Sequence, residues 1–332
     1  MPTTVTIAVN RDHPQSDIIE RALEVLRRGG LVALPTETVY GLGAHALDVR
    51  ALENIFTAKQ RPHWDPLIVH VSGADMAERL TGNVPASFPK LAESFWPGPI
   101  TFVLPRSSIV PNLVTAGRPT VALRMPQHPV ALALLQAGNL PIAAPSANLF
   151  GRPSPTCAEH VRADLDGRVD LILDAGPTKF GVESTILDLT SPRPTILRPG
   201  GVTREEIEKV TGPVTILGAA TGESTSRGLP APGMTDKHYS PRAFIELFDA
   251  QVPGWRDRLD QRSGNLKASG IHHGIILSGG DLNGMARDLF SQMRRCDSEN
   301  ATIILCELPP PAGIGLAIRD RLLRAAGRGN QT

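Results

Sequence analysis

The first 200 residues are threaded with short apolar runs, and each run breaks off into proline, glycine or a hydrogen-bonding side chain. LVAL (31–34), PLIVHV (66–71), PITFVL (99–104), TVALRM (120–125), LPIAAP (140–145), VDLILDAG, STILDL and PTILRPG all read as strands. Helical patterns lie between several of them. Ser16 is placed to cap a helix with Ile18, Ile19, Ala22, Leu23 and Leu26 on one face, and Gly29 to end it. Asp48 caps a second helix carrying Leu52, Ile55 and Phe56, whose last turn delivers KQRP (59–62). TREEIEKVTG (203–212) predicts a third. Strands alternating with helices require an α/β fold. Some strands are joined too closely for crossover connections, so the sheet is expected to be mixed.

A chain of 332 residues is long for one core. The composition shifts after Gly212. Residues 213–241 are rich in Gly, Ser, Thr and Pro, show little periodicity and end in LPAPGMTDKHYSP, as a linker does. Beyond it, FIELF (244–248), HHGIILSGG (272–280), a helix near 281–295, ATIILCEL (301–308) and a last helix near 314–326 make a second, small α/β unit. The division expected is therefore 1–212, a linker at 213–241, and 242–332. There are no internal repeats and no low-complexity tract.

The charge balance, 34 basic against 33 acidic side chains, argues against broad, non-specific binding to nucleic acid or membranes. Cys157, Cys296 and Cys306 form no CxxC pair, so neither a structural zinc site nor a disulfide framework is indicated. The N-terminus lacks the basic and apolar segments of a signal peptide, and no apolar run approaches the roughly 20 residues of a membrane span. A cytoplasmic protein is expected.

The strand ends carry the candidate chemistry. LVAL is followed by Thr36, Glu37 and Tyr40, after which Gly41 and Gly43 read as a turn. TVAL is followed by Arg124 and His128, IAAP by Ser146 and Asn148, and PTIL by Arg198 and two glycines. In α/β sheets ligands bind beyond the carboxyl ends of strands, so these loops are candidates for lining one site. The plainer reading, that proline and glycine merely punctuate turns, weakens with each further loop of this kind. Lys59 and Arg61 suit a phosphate clamp, although basic residues also suit a solvated helix C-terminus. There is no Walker A pattern, GxGxxG fingerprint, HExxH or GxSxG elbow. Gly279-Gly280 reads as a turn, and His272-His273 as a strand edge without a task. Gly181 would allow a ligand close to the backbone near Ser184, and Glu183 beside Lys179 reads as a surface pair.

The ordered set PTETVYGLG, KQRPHWDPLIVHV, FWPGPITFVL, VALRMPQHP, PSANLFGRPSPT, GVESTILDL and ILRPGG resembles the YrdC-like family over roughly residues 15–212. The linker and the terminal GIGLAIRDRLLRAA resemble the long, two-domain form of that family's synthases. The resemblance implies a twisted mixed sheet with a central ligand cavity, plus a small Rossmann-like α/β C-terminal domain. It also implies condensation of L-threonine, bicarbonate or CO2, and ATP into threonylcarbamoyl-adenylate and pyrophosphate, for the threonylcarbamoyladenosine modification of tRNA. By that resemblance Lys59, Arg61, Ser146 and Asn148 surround the nucleotide and the carbamate. His63, Thr120, Ser154, Arg198 and Tyr239 also face ATP, and Thr36, His70, Arg124, Ala144 and Ser184 hold threonine. Magnesium is expected with the triphosphate, without protein side chains as ligands. The implied partners are ATP, threonine, bicarbonate and downstream tRNA threonylcarbamoyl-transfer proteins, with no membrane and with direct tRNA binding left open. Two positions depart from the family pattern: Asp65, where asparagine is frequent, and Asp236. Asp65 adds negative charge near the nucleotide, Asp236 stands in the linker where a basic or polar residue is common, and both are expected to weaken nucleotide affinity. Hydrogenase-maturation carbamoyltransferases share the module but carry zinc-finger cysteines. An RNA-binding module without adenylate synthesis is the other alternative, and here aromatics amount to only 4%.

Overall fold

The computed structural model describes residues 3–217, 231–233 and 238–327. Its strands are β1 (Val5–Ala8), β2 (Val32–Leu34), β3 (Gly41–His45), β4 (Ile68–His70), β5 (Ile100–Pro105), β6 (Thr120–Arg124), β7 (Ile142–Ala143), β8 (Leu171–Asp174), β9 (Thr185–Asp188), β10 (Thr195–Arg198), β11 (Thr215–Ile216), β12 (Phe244–Asp249), β13 (His273–Ile276) and β14 (Ile303–Leu308). The first eleven form one mixed sheet in the order β1-β8-β2-β3-β7-β4-β6-β5-β9-β10-β11, and the last three form a parallel sheet in the order β12-β14-β13.

Alternation along β2 explains the layering. Val32 and Leu34 point to a core shared with the helices Ser16–Arg27 and Pro129–Gly138. Ala33 points to the opposite core, with Leu52, Ile55 and Phe56 of the helix Val49–Lys59. Both faces of the sheet are therefore covered, which is why its strands read as continuous apolar runs. Asp48 caps Val49–Lys59 as expected, accepting from the Arg50 and Ala51 amides at 2.9 and 3.4 Å. Ser16 does not cap the first helix. Gln15 stands at that position, and its side chain accepts from the Asn10 amide at 3.0 Å instead.

The Gly41/Gly43 pair does not turn. It lies inside β3, near the middle of the sheet, antiparallel to β2. A β-carbon on Gly43 would sit 2.6 Å from Leu34 Cδ2 and 3.0 Å from Ile142 Cγ2, so glycine is required there by close approach across the sheet. PTETVY is consequently the connection of a β2–β3 hairpin. The segment expected to be linker from residue 213 begins with β11, which extends the sheet beside β10.

In the second unit, the helices Leu282–Ser298 and Ile314–Ala326 cover one face of the parallel sheet, and Trp255–Ala268 covers the other. The first of these cores also takes in Val39, Val182 and Tyr239. Gly181 lies against this unit, since a β-carbon there would collide with the Arg287 carbonyl. Its close approach is to a neighbouring backbone and not to a ligand. Gly279 and Gly280 do form a turn, both at positive φ, and His273 of the edge strand β13 bonds Ser263 Oγ at 2.8 Å.

Candidate active site

The loops after β2 and β7, the last residues of β4, β6 and β10, and the segment leading into β9 converge on one cavity. Thr36, His70, Arg124, Ala144, Ser146 and Ser184 line it from the sheet side, together with Arg61 and Arg198. Glu183 lines it as well, and Gly233, His238 and Tyr239 close the side nearest the second unit. Residues expected from four separate strand ends are thus brought together.

Its cations are buried and held by fixed acceptors. Arg61 donates to the Asp65 and Pro66 carbonyls at 3.1 and 2.6 Å and pairs with the Asp65 carboxylate at 2.9 Å. The charge that Asp65 adds near the site is therefore met by Arg61. Arg124 donates to Glu37 at 2.7 Å, and the other Glu37 oxygen accepts from the Gln127 amide at 3.0 Å. Arg198 donates to the Ser184 carbonyl through Nε and Nη2 at 3.2 and 3.0 Å, and to Ser184 Oγ at 3.2 Å.

Lys59 stands one layer behind the wall. It is 1% exposed, and its ammonium donates to the carbonyls of Ser146 and Asn148 at 2.5 and 2.6 Å. The solvated helix end is excluded, because the lysine binds the two loops of the site together. Burial, then the Arg61 charge beside it, pushes Lys59 well below its ordinary value. Asn148 spans its own loop, donating to Leu149 O and Arg152 O at 2.7 and 3.0 Å. Ser154 Oγ donates to Glu183 at 2.5 Å. Glu183 is no surface pair: it is 6% exposed and ion-paired to Arg321 at 2.7 Å.

Two histidines face the cavity as neutral bases. His70 is held well below its ordinary value by burial and by Arg124, and its ring nitrogens have no partner within hydrogen-bond geometry among the described residues. His238 is lowered by burial and by the charges of Arg61, Lys59 and Arg198. Its ring stands edge-on to Phe150 at 5.6 Å and to Tyr239 at 4.0 Å. Tyr239 is 1% exposed and adopts a positive φ of 61°.

Some expected residues lie elsewhere. His63 is exposed and pairs with Glu53 at 3.1 Å. Thr120 opens β6 at the end opposite Arg124 and does not line the cavity. Tyr40 bonds the Gly176 carbonyl at 2.7 Å, and His128 caps the helix Pro129–Gly138 by accepting from the Val130 amide. Asp236 lies outside the described residues. Glu183 and His238 line the cavity without having been assigned to it, and Glu37 and Asp65 reach it through Arg124 and Arg61. A carboxylate directly after a buried strand was the available signal for Glu37.

The family model described as "Telomere recombination" (Sua5, YciO and YrdC) matches residues 24–200, and that for the C-terminal domain of threonylcarbamoyl-AMP synthase matches residues 202–327. The chain is 43% identical to the threonylcarbamoyl-AMP synthase of Pyrococcus abyssi, covering 97% of this chain and 98% of that one. It is 41% identical to that of Bacillus subtilis, covering 97% and 96%. The crystal structure of P. abyssi Sua5 complexed with L-threonine superposes with a TM-score of 0.92 at 42% identity, covering 97% of each chain. Two family models in tandem, and near-complete coverage of relatives above 40% identity, show that the chain belongs to the threonylcarbamoyl-AMP synthase family in its two-domain form.

Proposed function

We propose that the cavity condenses L-threonine, bicarbonate or CO2, and ATP into threonylcarbamoyl-AMP and pyrophosphate, which makes the protein a nucleotidyltransferase. The observation that carries this reading is the convergence of Arg61, Arg124 and Arg198 on one cavity, with Lys59 bracing it. In the reaction, the threonine ammonium loses one proton to water to become a nucleophilic amine, bonds the carbon of CO2, and loses a second proton to water, which leaves a carbamate. An oxygen of the resulting carbamate attacks the α-phosphorus, and the bond to the β-phosphate oxygen breaks to release pyrophosphate. No enzyme nucleophile is required. Catalysis rests on alignment and on fixed positive charge.

In this reading Arg124, set in place by Glu37, receives the threonine carboxylate, and Thr36, His70, Ala144 and Ser184 surround the amino acid. Neutral His70 is suited to accept a hydrogen bond from the substrate nitrogen. Arg61 and Arg198, with Ser146, face the phosphates. Lys59, Asn148 and Ser154 hold these groups from behind, and Tyr239 covers the nucleotide. Magnesium would arrive on the triphosphate and neutralise charge on the departing pyrophosphate. In this reading phosphate oxygens, rather than protein side chains, would be its ligands. The product would pass to tRNA threonylcarbamoyl-transfer proteins in the cytoplasm. Among the described residues no helix is long and apolar enough to cross a membrane.

The test is pyrophosphate release. It should require threonine and bicarbonate together. Release with neither, or RNA binding with no release at all, would overturn the assignment.

A further inference from the structure

Arg321 is the largest side chain that the described residues bury completely. It belongs to Ile314–Ala326, the last helix of the C-terminal unit. Yet it reaches the cavity wall. Its Nε donates to Glu183 Oε2 at 2.7 Å, while Ser154 donates to the other carboxylate oxygen at 2.5 Å. Its guanidinium carbon lies 5.2 Å from the centre of the Tyr239 ring, and Nη1 donates to Asp320 at 2.5 Å. Nη2 has no hydrogen-bond partner among the described residues.

A cation so deeply buried needs a reason, because desolvation is expensive unless a specific anion meets it. Glu183 supplies one. Its carboxylate lines a cavity whose ligands, under the function proposed above, are anions: a triphosphate and an amino-acid carboxylate. Left alone, that carboxylate would repel them, or would take up a proton and lose its hold on Ser154. Burial by itself would raise Glu183, but Arg321 and Arg198 outweigh it and keep the group ionised. Arg321 also rests against the ring of Tyr239, so one guanidinium touches both a wall and the cover of the cavity.

We propose that Arg321 is a positioning residue for adenylate formation: the C-terminal domain neutralises and orients Glu183, and seats Tyr239, from outside the catalytic domain. The proposal rests on the adenylate-forming reading of the cavity. Arg319 provides an internal control. It lies on the same helix and pairs with Asp249 at 2.9 Å, away from the cavity.

The experiment measures pyrophosphate release and thermal unfolding for the full-length wild type and for Arg319→Met, Arg321→Met, Arg321→Lys and the double variant Glu183→Gln/Arg321→Met. R319M should keep kcat/KM for ATP within about twofold of wild type, while R321M loses about tenfold or more, the scale of one lost charge-assisted contact. Adding E183Q to R321M should recover about threefold or more of that loss, because a neutral amide no longer needs a countercharge. If methionine prevents folding, R321K carries the test, with a fall in kcat/KM beyond that of R319M in its favour and a wild-type value against it. R321M indistinguishable from R319M, or a double variant no better than R321M, overturns the proposal while leaving the functional reading intact. A wild type that releases no pyrophosphate overturns both.

Discussion

Lys59 shows how far burial changes the meaning of a residue. In sequence it is a basic side chain in the last turn of a helix, where water is the ordinary partner. In the fold it is bound to two carbonyls of the S-x-N loop. Lys59→Met should therefore do more than remove charge. Orphaning Ser146 O and Asn148 O should cost about 1–3 kcal/mol each, read by urea unfolding, with pyrophosphate release lost as well. Arg124 predicts a different signature. Its Nη2 is taken by Glu37 but its Nε has no hydrogen-bond partner among the described residues. Arg124→Gln should raise KM for threonine about tenfold or more, with a smaller effect on ATP, in steady-state kinetics. His70 and His238 predict a pH dependence. Both are lowered in the folded state, chiefly by burial, whereas an unfolded histidine titrates near about 6.5. Below that pH the unfolded chain binds more protons than the native one, so stability falls as pH drops. His128 and His160, each lowered to about 4, extend the window downward. The urea midpoint should be lower at pH 5.5 than at pH 7.5, and an equal or higher midpoint would contradict the burial of neutral imidazoles. The candidate site was legible where a polar residue follows an apolar strand, as at Thr36, Arg124, Ser146 and Arg198. It was illegible where a long-range ion pair decides the role. Nothing local connects Glu183 to Arg321, 138 positions away.

At the scale of elements, the inner strands such as β2, β4, β5 and β6 were legible because both faces of the large sheet are covered there and their residues are buried and mostly apolar. β3 was missed for a physical reason. GLGAH lacks the β-branched, Phe, Tyr and Trp side chains that mark strands, and its glycines answer to neighbours across the sheet that sequence does not display. Gly43→Ala tests this directly. The added methyl meets Leu34, Ile142 and the Val32 carbonyl at 2.6, 3.0 and 3.1 Å, so overpacking should cost about 1–3 kcal/mol. Chemical denaturation should show the loss, and unchanged stability would mean that β2 and β7 can part at little cost. LPIAAP shortened to the two-residue β7 for a related reason. Ala144 still hydrogen-bonds Ile68 O, but the chain then leaves to carry Ser146 into the cavity. β1 went unread because VTIA has mostly exposed residues at the sheet edge and stands apart from the other strands in sequence.

Across the whole molecule, Asp164 joins the two units. Its side chain is 1% exposed and accepts from Arg152 at 2.8 Å and from Arg294 of the second unit at 2.7 Å. Asp164→Asn should leave Arg294, the more buried of the two cations, undercompensated and cost about 1–3 kcal/mol, Arg152 being half exposed to water. Calorimetry should then resolve two melting transitions, and a single unshifted one would show that the apolar contact with Val39 and Val182 suffices. The order of strands has a further consequence, for the chain as it is made. β8 lies between β1 and β2, so residues 5–8 and one edge of β2 have no partner until residue 174 has left the ribosome. Until then the nascent sheet presents two open edges, which are surfaces for pairing with other chains. An emerging polypeptide arrested just short of residue 171 should therefore be bound by holding chaperones, and one arrested well past 174 should release them.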